Sequence, residues 1–173
     1  ITDPAVKQNV LYILANRYFK LNDIYEVRDQ KVKYAKAVLT GASKQAAIEA
    51  AELEKDATLY RCHFEFPASL SLYINDKQID AIKDGMTYNS LQVQYESLVD
   101  MVPSLTEEEK KQIYAWYKEA REFSMDAENS DKKHAAFNKY KGRINNYLTK
   151  RGYDLVKERN EWYKRLKAAG KKI

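Results

Sequence analysis

From Val6 to Ile24 the chain returns an apolar side chain to one side of a helix: Val6, Val10, Leu14, Leu21 and Ile24, at steps of three, four and seven. Asp3-Pro4 opens this stretch as an N-cap followed by proline in the first turn, and Gly41 closes it beyond about Val38. Leu11, Ala15, Tyr18 and Phe19 extend the apolar surface around the opposite side. A helix apolar nearly all round is expected to be central and covered by neighbours. Arg17 and Arg28 fall on its main stripe, so each must find carboxylates or carbonyls, because an unpaired buried charge is very costly.

Glycine and proline number only five and three in 173 residues, which argues for long helices over many short strands. A second helix is expected from near Ser43 through Phe64 and on toward Leu72, kinked or broken at Pro67. Asn75 or Asp76 caps a short helix, Lys77 to Lys83, stopped at Gly85. Gly85 to Asn89 looks like a shaped loop, and Leu91 to Met101 reads as helix. Thr106 with Glu109 forms a capping box for a helix ending near Asp126. Ser130 or Asp131 caps the next, closed by Gly152, and Asp154 caps the last. The expected fold is all-α: a single-domain helical bundle, residues 1–173, of about six helices around the long N-terminal one.

Net charge is +5, but acids are interspersed even in the denser basic region from Lys132 to Lys172. Nucleic-acid binding needs a concentrated stripe of one sign, so none is expected. One cysteine, Cys62, excludes an internal disulfide. His63 and His134 lack metal-ligand spacing, and no phosphate loop, nucleophile elbow or dinucleotide fingerprint occurs, so no metal, cofactor or catalytic motif is implied. No run approaches a membrane span, and oligomeric state is not legible.

Chemistry-bearing residues concentrate in three places. On the helix through Phe137, Tyr140, Ile144 and Leu148, the opposite side carries Ala135, Gly142 and Asn146, and His134, Asn138, Lys141 and Asn145 form a polar edge. Gly142 costs about 1 kcal/mol there, so something is expected to pack against it: another helix, or a ligand. Upstream, Glu119, Arg121, Glu122 and Asp126 crowd eight residues. They suit ion pairs with Arg17, Arg28 or Arg143, or, with Glu122 and Asp126 as paired acids, work on a glycan. Lys83, Asp84, Thr87 and Tyr88 surround the Gly85 turn.

These motifs, "KDGMTY", "MVPSLT", "EAREFSMDAENSDKKHAAFNKYKGRINNYL" and "GYD", with "ANRYFKLNDIYEVRD" in the first helix, resemble the bacterial domain of unknown function 3826 family over residues 5 to 160. Phe123 and Ser124 depart from its small or aliphatic residues, and the tail beyond Asn160 lies outside the pattern. The resemblance implies an exported protein, periplasmic or secreted, loosely described as sugar-binding, with no defined catalytic residues. The expected function is binding of a carbohydrate or related polar small molecule, lined by Asp84, Tyr88, Arg121, Asp126, His134, Lys141, Arg143, Asn145 and Asn146. The alternatives are a structural or protein-interaction module and, third, a glycan-active enzyme.

Overall fold

A computed structural model describes residues 1–171, so Lys172, the end of the basic region, lies outside the described residues. Eight helices follow in order: α1 (Pro4–Val38), α2 (Gly41–His63), α3 (Glu65–Ser71), α4 (Asp76–Met86), α5 (Ser90–Met101), α6 (Glu107–Met125), α7 (Ser130–Lys150) and α8 (Leu155–Ala168). The all-α expectation is met; eight helices replace about six. One addition comes from Pro67, which has no N–H to offer the His63 carbonyl, so α2 stops there and α3 starts afresh. Two compact units result, Ile1–Asp80 and Ala81–Ile173.

In the first unit α1 lies along α2 and meets α3. Asp3 caps α1 by accepting from the backbone N–H of Ala5 (2.8 Å) and Val6 (3.2 Å). Arg17 is buried and donates to the Cys62 carbonyl at 3.0 Å, at the electronegative end of α2, with Phe66 beneath its guanidinium. Arg28 meets Glu52 of α2 at 3.2 Å and its neighbour Asp29 at 2.6 Å. Both stripe arginines thus find oxygens, as burial demands. The covering of α1 is a correction: Leu11, Tyr12, Tyr18 and Phe19 are exposed, because α2 and α3 occupy the Val10–Arg17–Leu21 side.

The second unit holds the larger core: Leu91 and Leu98 of α5, Ile113, Tyr117 and Ala120 of α6, and Phe137, Tyr140, Ile144 and Leu148 of α7. The four α7 residues are those its spacing predicts. The Thr106 box forms, with the hydroxyl accepting from Glu109 N–H (3.2 Å) and the Glu109 carboxylate from Thr106 N–H (2.9 Å). Asn129, rather than Ser130 or Asp131, caps α7, accepting from Lys132 N–H at 3.0 Å. α8 closes on α5, where Trp162 donates to Asp100 (2.6 Å) and Arg165 to the Asp100 carbonyl (2.7 Å). Among the described residues no helix is long and apolar enough to cross a membrane.

Candidate functional site

Within the second unit the end of α4, the turn after it, the last turns of α6 and the first turn of α7 converge. Helix α4 does not stop at Gly85, as expected, but runs through it to Met86. The left-handed residues that stop it are Tyr88 (φ 59) and Asn89 (φ 54). Asn89 N–H donates to the Asp84 carbonyl at 2.8 Å and Tyr88 N–H to the Gly85 carbonyl at 3.4 Å. This is the Schellman pattern, in which the left-handed position is usually glycine. A tyrosine there costs about 1 kcal/mol. Its ring recovers part of that by stacking on His134 (centroids 5.3 Å, 21° between planes) over the Lys133 ammonium at 5.8 Å. Tyr88 is nevertheless 53% exposed.

Beneath the turn lies a run of charge. Arg121, 3% exposed, donates to Asp84 at 2.8 Å and to Glu122 at 3.3 Å, and Lys83 completes the chain on the other Glu122 oxygen at 2.9 Å. Lys133 is buried and donates to the Met86 carbonyl at 2.9 Å, one of the carbonyls α4 leaves open at its end. Burial pulls the Lys133 ammonium below its ordinary range, partly offset by Tyr88. Ser124, fully buried, donates to the Lys133 carbonyl at 3.2 Å and ties α6 to α7. Thr87 is buried too, its hydroxyl donating to the Lys83 carbonyl at 2.9 Å.

Of the residues named from sequence, Asp84 and Arg121 meet directly and Tyr88 meets His134. Asp126 sits at the C-terminal cap of α6, half-buried. Arg143 turns to Glu119 at 3.3 Å and over the Tyr140 ring at 4.8 Å, on the exposed side of α7. Lys141 and Asn146 are exposed and Asn145 is half-buried. The packed back face of α7 is a correction: Gly142 is exposed, and a Cβ placed there would meet nothing within 4 Å. Gly142→Ala is therefore expected to stabilise the protein by about 0.5–1 kcal/mol through helix propensity alone, read as a raised urea midpoint with unchanged slope. Nothing in the structure explains a glycine at that position.

Lys83, named at the Gly85 turn, joins the charge run through Glu122, whereas Lys133 is not among the residues named from sequence. Lys133 could have been: it stands four, seven and eleven residues before Phe137, Tyr140 and Ile144, on the buried stripe of α7. A lysine on such a stripe either snorkels or finds a carbonyl, and this one finds Met86.

The model of the family described as "Protein of unknown function (DUF3826)" matches residues 1–168, beyond the Asn160 limit of the sequence resemblance. No curated protein matches the chain.

Proposed function

From the premise that this chain belongs to the DUF3826 family, whose function is unknown, we propose that it is a non-catalytic binding protein for a carbohydrate or related polar small molecule. The α4–α6–α7 corner is the proposed site. One observation carries the reading: Tyr88, an exposed aromatic ring held at a left-handed backbone position, is braced by His134 and Lys133 four residues after Asp84, the acid that Arg121 pairs. Backbone strain at an exposed ring is a reason to look for function there. An exposed ring with a half-buried carboxylate, Asp84, four residues before it suits a sugar, which offers an apolar face and peripheral hydroxyls. The reading also takes the protein to be exported, periplasmic or secreted, as its resemblance implies; fractionation of the native host would test this.

The acid–base alternative is less well supported. Lys83 and Arg121 engage both Glu122 oxygens, and Arg121 engages Asp84, whereas glycoside hydrolysis asks for two carboxyls across an open cleft. A structural or protein-interaction role keeps one observation in its favour, the bare Gly142–Asn146 side of α7.

Calorimetric titration with a panel of neutral and acidic glycans tests the site. Binding is expected to weaken about tenfold in Tyr88→Gly, which removes the ring while giving the turn the residue it prefers. Absence of heat at millimolar ligand, or binding indifferent to Tyr88→Gly, would overturn the assignment.

A further inference from the structure

Helix α2, with its C-cap residue Phe64, carries two apolar seams on opposite sides. Ala51, Leu59 and Cys62 are buried toward α1. Facing away are Ala46, Ala50, Leu53, Ala57, Tyr60 and Phe64, alternating by four and three residues, and all six are exposed. Leu53 is 68% exposed, Tyr60 72% and Phe64 62%. Single exposed apolar side chains are ordinary. An unbroken run at the 3.5-residue period of helix-on-helix packing is not.

We propose that this outer seam joins two copies of the chain, α2 against α2, antiparallel about a two-fold axis. The order of side chains singles out a second copy as the occupant. Reversed upon itself, the seam sets Ala46 against the partner's Phe64, Ala50 against the partner's Tyr60, and Leu53 against the partner's Ala57. The two-fold repeats the same three pairings. Every layer then puts one small residue on one large one, the self-complementarity an isologous contact requires. A parallel pairing would instead stack Tyr60 on Tyr60 and Phe64 on Phe64 at one end and leave alanine facing alanine at the other.

A second feature agrees. A shallow groove of about 470 Å³ opens beside Ala50, lined on its apolar side by Tyr34, Ala35, Leu39 and Ala47. That is where the partner's Tyr60 ring arrives. The acids nearest the axis bring their own counter-ions: Glu54 is ion-paired with Lys31 of α1, and Asp56 with Lys55 at 3.0 Å. Like charges therefore meet across the axis largely neutralised, and apolar burial is left to drive association. The seam runs about 27 Å along the helix.

Sedimentation equilibrium of the full chain between about 1 and 200 µM reads the mass directly. The expected result is a monomer–dimer transition in that range, abolished by Tyr60→Lys with far-ultraviolet circular dichroism unchanged. Orientation is read by disulfide trapping in a Cys62→Ala background. Mixing Leu53→Cys with Ala57→Cys is expected to yield the cross-linked heterodimer in preference to either homodimer. A monomer at every concentration, a dimer untouched by Tyr60→Lys, or preferential Leu53→Cys homodimers would each overturn the proposal.

Discussion

Arg121→Ala is expected to lower the stability of the protein by about 3 kcal/mol, the range found when one partner of a buried ion pair is removed. Arg121 is 3% exposed and bridges Asp84 to Glu122, so its loss strands two half-buried carboxylates against each other. Lys83 still holds one oxygen of Glu122, which keeps the cost at the lower end. Asp84→Asn, leaving a polar acceptor of the same shape, is expected to cost only about 1 kcal/mol. Arg121→Lys should not rescue, because a single ammonium cannot present the forked donors that reach both acids. Urea unfolding of the three variants provides the ranking. A loss under about 1 kcal/mol for Arg121→Ala would show that water replaces the guanidinium, and that the charge run is a surface feature.

The elements legible in the sequence share one property: their cause lies within a turn or two of chain. Asp3-Pro4, Thr106 with Glu109, and Asp154 satisfy backbone donors a few residues away, and each acts as the spacing says. The α7 stripe of Phe137, Tyr140, Ile144 and Leu148 is equally local, since helix geometry alone brings the four together. Apart from the α7 cap, which moves one residue to Asn129, what sequence misplaced depends on where distant pieces end up. Gly85 carries the usual sign of a helix end, yet α4 continues through it, and the turn is made by a tyrosine that carries no such sign. His134 and Lys133, on another helix, supply the contacts that hold the tyrosine in place.

The candidate site follows the same division. Asp84, Tyr88, Arg121 and His134 come together because α4, α6 and α7 meet at one corner, a tertiary fact that the clustering of charge in two separate segments only hinted at. Lys141, Arg143, Asn145 and Asn146 share α7 with His134 but lie about two to three turns further along. Helical rise carries the polar edge away from the corner by about 5 Å per turn, so a shared face is not a shared site. Proximity on a helical wheel discards the axial coordinate, and that coordinate separates these residues here.

Glu109→Ala is expected to cost about 2 kcal/mol, more than the roughly 1 kcal/mol of an ordinary cap. The excess arises because this carboxylate does two jobs while buried. It accepts from Thr106 N–H at the start of α6 and from the Tyr153 hydroxyl at 2.7 Å in the turn between α7 and α8, with Arg151 at 3.7 Å. The Thr106 backbone bond foremost, helped by Tyr153 and Arg151, holds its pKa below the ordinary value of 4.5 despite burial. The unfolded chain then binds the proton at higher pH than the native one. Its contribution is thus fully present above about pH 4.5 and is lost as pH falls through the lower folded value. Glu109→Gln keeps an acceptor for the cap but cannot titrate, so its stability should run more nearly flat below pH 4.5 than that of the wild type. Urea midpoints from pH 7 to pH 3 compare the two. Parallel curves would mean that the Thr106 N–H, Tyr153 and Arg151 together do not distinguish the ionised from the neutral carboxyl, and that the charge of Glu109 adds nothing to the anchoring of α6.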